Sequence, residues 1–342
     1  MRTEILEESK KEDWNSFVYS HANTISWHLF EWHNILQSHY RLRFYPIAAY
    51  DGSRIAGILP LYEIDRIRTG KILISIPYFV AGGIVADDEE AERALLAKAI
   101  ELTHKTGARR MLLKQYRVKV NGELCTESGY YNRELTLSRD LSWVWEQIMD
   151  QNRKKIQEAR TLDLTLEYPS ANLTSFYQML LTYNHGQGIP CVGKRWVAAL
   201  LATRTYEIAL FKLRGRTVAA TLVKKFRDTF SLPLTCLPDD TASSHLFAYA
   251  LYWELIQHLA ADGFRIFHSG RIPEGELVPA FRLGWGGTRY DYWYQCFEPG
   301  NKTRSLVSKR QDPSRRLFQK IWRRLPVGIA RFVGPLIVAQ FP

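Results

Sequence analysis

Tyr45-Pro46-Ile47-Ala48-Ala49-Tyr50, a turn containing Gly52, and then Ile55-Ala56-Gly57-Ile58 read as two apolar strands joined at a glycine. Glycine and alternating apolar residues are the sequence marks of a β-hairpin. About 160 residues further on, the same order returns: Tyr206-Glu207-Ile208-Ala209-Leu210-Phe211, Gly215, then Val218-Ala219-Ala220-Thr221, with a second turn that reads two residues longer. A helical pattern follows each hairpin. Ala91, Ala94, Leu95, Ala99 and Leu102 recur at helical spacing in the first half; Leu251, Leu255 and Leu259 do so in the second, with Phe247, Ala248 and Ile256 around them. Each pattern stops at a glycine, Gly107 or Gly263, and enters a short apolar strand, Met111-Leu112-Leu113 or Phe264-Arg265-Ile266-Phe267. Three elements recurring in one order imply a duplicated α/β domain.

Working outward, the chain of 342 residues is long enough for two such domains and is 46% hydrophobic, ample for real cores. The expected division is 1–150 and 151–300, with a charged linker helix over 141–160 and a flexible connection over 301–316. The cysteines Cys125, Cys191, Cys236 and Cys296 are scattered and form no CxxC pair. With no apolar leader at the first residues, this predicts reduced thiols and a cytoplasmic location.

The net charge of +11 is unevenly placed. Residues 301–342 hold ten Lys or Arg and one acid, Asp312, whereas the first 300 hold 36 basic and 34 acidic side chains. A nearly neutral body argues against a DNA-binding surface. In the tail, Leu317, Phe318, Ile321, Trp322 and Leu325 fall on one helical face, and Arg315, Arg316, Gln319, Lys320, Arg323 and Arg324 mostly cover the other side. Pro326 interrupts, and the apolar stretch 327–341 is shorter than the roughly 20 residues needed to span a bilayer. A basic amphipathic helix of this kind predicts attachment to an anionic membrane surface, with Trp322 at headgroup depth. Packing of the stripe on the body is the alternative.

No phosphate loop, GxGxxG or GxSxG is present. His28, His33 and His39 do not share a helix face, which argues against a metal site. Three segments are polar or glycine-rich at element ends. Asn184 to Pro190, with His185, Gly188 and Pro190, leads to Lys194 and Trp196; it reads as a substrate loop or a helix connection. His268-Ser269-Gly270-Arg271 follows a strand, where ligands of α/β folds collect. Phe281-Arg282-Leu283-Gly284-Trp285-Gly286-Gly287 sets an arginine among aromatics and glycines, which suits an anion or a carbonyl, or else a strand bulge.

These pieces together resemble the FemAB-like aminoacyl/acyltransferase group, which is built from tandem GNAT-like domains, each a mixed sheet flanked by helices. The resemblance covers nearly the whole chain and is nearest to the FemAB-related proteins encoded beside exosortase and exopolysaccharide loci of Gram-negative bacteria. It rests on Asn152-Arg153-Lys154-Lys155-Ile156 with Ala159-Arg160, on Gly188-Ile189-Pro190 before Lys194, on Phe267 to Arg271, on Phe281-Arg282 before Gly284-Trp285-Gly286, and on the ending 317–342. Three departures stand out. Ile189 replaces a threonine, His268-Ser269 replace an Asp-Phe pair, and Arg282 replaces a lysine. Arg282 keeps the charge without a proton to exchange near neutrality.

The resemblance implies an acyl- or aminoacyltransferase that forms an amide on an amine of a cell-envelope or exopolysaccharide precursor, and the tail predicts that it rests on the inner face of the cytoplasmic membrane. The donor is acyl-CoA or aminoacyl-tRNA, so tRNA is an expected partner. The alternatives are a coenzyme A-dependent N-acetyltransferase acting on an amino sugar and a non-catalytic scaffold of a polysaccharide assembly complex. Expected catalytic residues are His268, Arg271 and Arg282. Expected substrate contacts are His185, Gly188, Pro190, Lys194, Ser269, Gly270 and Trp285.

Overall fold

The computed structural model describes residues 1–66, 70–238, 244–274, 280–300 and 313–341, without the side chains of Arg66, Ser244, Ala280, Pro313, Ser314 and Arg315. The expected connection over 301–316 therefore lies outside the described residues as far as 312; residues 313–316 open a helix. The chain divides into two compact units that are interleaved in sequence. One comprises Met1–Tyr131 with the stretch beginning at Tyr290; the other comprises Asn132–Arg289 with the stretch ending at Phe341. A linear division at residue 150 does not describe this arrangement.

Unit 1 runs β1 (Arg2–Ile5), α1 (Lys11–Ser20), α2 (Trp32–Tyr40), β2 (Arg43–Asp51), β3 (Arg54–Arg66), β4 (Gly70–Ser75), β5 (Val85–Ala86), α3 (Glu89–Thr106) and β6 (Met111–Tyr116). Asp88 caps α3 by accepting the Ala91 N–H, and three acids occupy its first turn, where the helix dipole favours them. Gly107 closes it at φ 67°. The predicted stripe of Ala91, Leu95, Ala99 and Leu102 is buried against Ile47, Ala49, Leu59 and Leu61 of the hairpin. The sheet order is β1-β2-β3-β4-β6, with β4 and β6 parallel through Leu73–Met111 and Ile74–Leu112.

The next elements are β7 (Cys125–Thr136), α4 (Leu141–Gln147), α5 (Asp150–Ala159), β8 (Leu164–Ser170), α6 (Leu173–Gly186), α7 (Lys194–Ala202), β9 (Tyr206–Leu213), β10 (Arg216–Phe226), β11 (Thr229–Ser231), α8 (Ser244–Ala261), β12 (Ile266–His268), β13 (Ile272–Pro273), α9 (Ala280–Leu283) and β14 (Thr288–Phe297). Two more helices follow, α10 (Pro313–Arg324) and α11 (Val327–Val338). Residues 141–160 are not a linker. They form two helices separated near Ile148, and Val144, Ile148, Ile156 and Ala159 are buried in the unit 2 core beside Leu251, Leu255 and Leu259 of α8. The two hairpin turns are also equal in length: strands β2 and β3, like β9 and β10, are separated by two residues. The longer second spacing seen in sequence is taken up by strand residues, and each hairpin carries a one-residue bulge at the same place.

In unit 2, β11 and β12 pair in parallel across the α8 crossover, and β12 pairs antiparallel with β7 from Glu134 to Thr136. The order from there is β7-β12-β11-β10-β9-β8. The duplicated plan is thus present: hairpin, helix and parallel strand in each unit. The closing strands are exchanged in sequence. Unit 1 takes β14, whose residues Tyr292–Phe297 pair with β6, although β14 follows the body of unit 2 in the chain.

This exchange generates a prediction. Residues 1–131 expressed alone leave β6 without its β14 partner and are expected to lack a cooperative thermal transition by circular dichroism. Joining 288–300 to them through a flexible linker restores it. A cooperative melt of 1–131 alone defeats this account.

Candidate functional site

Register fixes which side chains share a face of the unit 2 sheet, because directly paired residues point to the same side. Ala209, Phe211, Val223, Phe230, Leu232, Phe267 and Leu135 all belong to the core beneath α8 and α5. Their neighbours in sequence therefore face the other side. Across five strands these neighbours form one row: Tyr206 pairs with Lys224, Lys224 with Ser231, Ser231 with His268, and His268 with Glu134. With strands about 4.8 Å apart, the four side chains from Lys224 to Glu134 span about 14 Å. Ser231 and Glu134 are buried, at 7% and 8% exposure. Burial pushes the Lys224 amine down to about 7. Polar groups set in a row at the carboxyl ends of two parallel strands occupy the place where α/β folds collect ligands.

His268 stands at the centre of this row. Its Nδ1 accepts the Gly270 N–H at 3.1 Å. A neutral ring held in this way carries its proton on Nε2 and donates from there. Gly270 makes this close turn at φ 86°. Ser269 is tied back to β7: its N–H donates to Arg133 O at 3.0 Å, its hydroxyl accepts the Arg133 N–H at 3.2 Å, and it donates to Asn132 Oδ1 at 3.3 Å. Arg271 and Arg282 are exposed, and the Arg282 guanidinium donates to Arg271 O at 3.1 Å. The structure therefore brings His268, Ser269, Gly270, Arg271 and Arg282 together.

Trp285 belongs elsewhere. It is 1% exposed and packs among Tyr249, Tyr252, Phe267 and Phe281 in the core. The glycines around it serve close packing. A Cβ at Gly284 would strike the side chain of Asn152, which is buried and donates to Phe281 O at 3.0 Å. At Gly286 (φ 77°) it would strike Gln147 O, and at Gly287 (φ 89°) Glu134 O. The glycine run lets α4, α5 and β7 approach the chain here, and it places the Glu134 end of the row.

His185, Gly188, Pro190 and Lys194 form a second group at the end of α6 and the start of α7. His185 Nε2 meets Leu325 O at 2.7 Å, and a Cβ at Gly188 would lie 2.9 Å from the Gln319 backbone oxygen. Lys194 Nζ donates to Thr174 Oγ1 at 3.0 Å, and Pro190 is partly buried. His185 and Gly188, with Cys191 and Gly193 beyond them, form the seat of the C-terminal helices, a role that sequence reasoning did not foresee. Trp322, expected at the surface, is 3% exposed; Arg316, Lys320, Arg323 and Arg324 are exposed. The Arg315 side chain lies outside the described residues. Among the described residues no His, Cys, Asp or Glu cluster could hold a metal. His28 is buried instead, its Nε2 3.1 Å from Gly83 O.

Lys224, Ser231, Glu134 and Tyr206 are the members of the row that the sequence did not announce. The available signal was Lys224-Lys225 inside an apolar strand, where a charge has no solvated face to occupy.

Residues 146–290 match the family model described as Acetyltransferase (GNAT) domain. Solved structures of similar fold include FemX, at 12% identity and TM-score 0.67, covering 86% of this chain and 97% of that one. The C-terminal domain of a putative lysylphosphatidylglycerol synthetase from Agrobacterium fabrum is similar at 12% identity and TM-score 0.56, covering 84% and 91%. A tandem GNAT protein from the clavulanic acid biosynthesis pathway is similar at 12% identity and TM-score 0.52, covering 88% and 100%. A search of the curated proteins found no match. The fold is that of tandem GNAT domains, as the resemblance implied.

Two predictions follow from this geometry. Gly287→Ala places a Cβ against Glu134 O at a left-handed φ and is expected to cost about 2 kcal/mol or more in urea unfolding. A cost below about 0.5 kcal/mol removes the packing role. For Lys224, the amine falls from 10.5 in its ordinary range to about 7 on folding. Between those values the unfolded chain binds more protons, so stability rises with pH across the window. Below about pH 7 both states are charged and the full desolvation cost is present. Lys224→Met is therefore expected to exceed the wild type in urea midpoint at pH 6, the difference shrinking toward pH 10. Equal midpoints at both pH values contradict the buried amine.

Proposed function

We propose that this protein is an N-acyltransferase that forms an amide on an amine-bearing precursor of the cell envelope or of an exopolysaccharide. The observation that carries the reading is the Lys224–Ser231–His268–Glu134 row at the ends of the parallel strands. The GNAT-domain match and the fold shared with FemX support it.

Acyl transfer to an amine needs three things: removal of a proton from the acceptor ammonium, stabilisation of the carbonyl oxygen as it gains charge, and a proton for the leaving group. Lys224, with its amine pushed down to about 7, is part neutral near pH 7 and takes the first proton. The freed amine attacks the acyl carbon; the new C–N bond forms and the carbonyl electrons move onto oxygen. His268, with Nδ1 engaged by Gly270, donates from Nε2 to that oxygen. Arg271 and Arg282 supply positive charge for an anionic donor or acceptor. When the intermediate collapses, the bond to the leaving thiolate or ribose oxygen breaks, and the second proton of the attacking nitrogen passes to it. Lys224 then returns its proton to solvent. His268 is thus the hydrogen-bond donor in this scheme.

The test is to incubate the full chain with acetyl-CoA or with mixed aminoacyl-tRNA and an amino sugar, and to read amide products by mass spectrometry. The expected result is an amide product whose rate falls about 100-fold or more in Lys224→Met and in His268→Ala, with the acid limb of the pH–rate profile lost in Lys224→Met. Full activity of Lys224→Met refutes the assigned base. No product from either donor with any amine tried, including extracted envelope precursors, refutes the acyltransferase reading.

A further inference from the structure

The two C-terminal helices have opposite faces of different character. Inward, Trp322, Ala330 and Gly334 are buried. Trp322 stacks on Phe318, and Gly334 has no room for a Cβ because Cys191 O lies 2.8 Å from that position. His185 and Gly188 hold the other side of this seat. Outward, Leu317 is 60% exposed, Ile321 54%, Phe332 76%, Leu336 69% and Phe341 66%. The described residues include seventeen exposed large hydrophobic side chains, and nine of them fall within 317–341. In α11, Ile329, Phe332, Val333 and Leu336 recur at i, i+3, i+4 and i+7, one continuous helix face. A soluble surface does not normally concentrate large apolar groups in this way.

The charge around this face selects its occupant. Arg316, Lys320, Arg323, Arg324 and Arg331 are all exposed, and residues 313–341 contain no acid. Twelve residues of α11 span about 18 Å, well short of a bilayer core. Among the described residues no helix is long and apolar enough to cross a membrane.

We propose that the outward face of α10 and α11 docks on an anionic lipid surface, with Leu317, Ile321, Phe332, Leu336 and Phe341 entering the interface and the flanking arginines and Lys320 meeting lipid phosphates. Such a face combines the two signals that hold a protein on a membrane without crossing it, apolar insertion and basic attraction. Trp322 faces the body and takes no part. The docking face is the back of the seat formed by residues 185–193, so attachment holds that loop within one helix diameter of the lipid.

Flotation of the full chain with vesicles tests this. The protein is expected to float with phosphatidylglycerol/phosphatidylcholine vesicles at low salt, to float poorly with phosphatidylcholine alone, and to be released by high salt. The combined variant Ile321→Glu, Phe332→Glu, Leu336→Glu changes only exposed positions and is expected to keep its circular dichroism and thermal transition while its bound fraction falls about tenfold or more. The combined variant Arg316→Gln, Lys320→Gln, Arg324→Gln is expected to lose the preference for anionic vesicles. The proposal is overturned if the wild-type chain stays unbound with anionic vesicles at low salt, or if the glutamate variant floats equally well. It is also overturned if sedimentation velocity without lipid shows a dimer that the glutamate variant dissolves, since the face then joins two copies of the chain.

Discussion

The parallel pairing of Thr229–Ser231 with Ile266–His268 is the constraint on which the rest of unit 2 depends. Two parallel strands cannot be joined by a tight turn, so a crossover is required, and α8 supplies it. The helix buries Leu251, Leu255 and Leu259 against Phe230 and Phe267, the apolar members of the same two strands. Alternation then leaves Ser231 and His268 on the opposite face. A polar site and an apolar core are thus two sides of one pairing, and neither can shift register without exchanging with the other.

The neighbouring elements serve this arrangement. β7 pairs with β12 and sets Glu134 opposite His268. The glycines after Trp285 let the chain pass close to Glu134 O, so a segment that reads as a ligand loop acts as a spacer instead. On the far side, β10 brings Lys224 into the row, where the amine has lost most of its water.

Much of this was legible in the sequence, and the reasons for the rest are physical. The hairpins and α3 and α8 announce themselves because alternation, helical spacing and terminal glycines at Gly107 and Gly263 agree with one another. Strand partnership does not announce itself. The sequence pattern of β14 says that it is half-buried, but not that it pairs with β6 some 180 residues earlier. Lys224 was hidden for a related reason: its importance lies in being aligned with Ser231 and His268 across strands, which no local spacing records. In the tail, helical spacing grouped Trp322 with Leu317 and Ile321 as one stripe, and the structure does not keep them on one face. The seat at 185–193 divides that stripe, taking Trp322 inward and leaving the other two outward.

The position of β14 in the chain also governs when the first unit becomes complete. Ribosomes add about 5–20 residues per second, so the edge of β6 waits roughly 10–30 s after its own synthesis before residues 292–297 emerge to pair with it. During that interval the nascent chain carries an open strand edge of the kind that invites pairing with other chains. Residues 117–287 are made in the meantime and include the whole polar row and its unit up to the C-terminal helices. The body of the site-bearing half is therefore synthesised before the half that precedes it can close, and only its C-terminal stretch, ending at Phe341, follows β14.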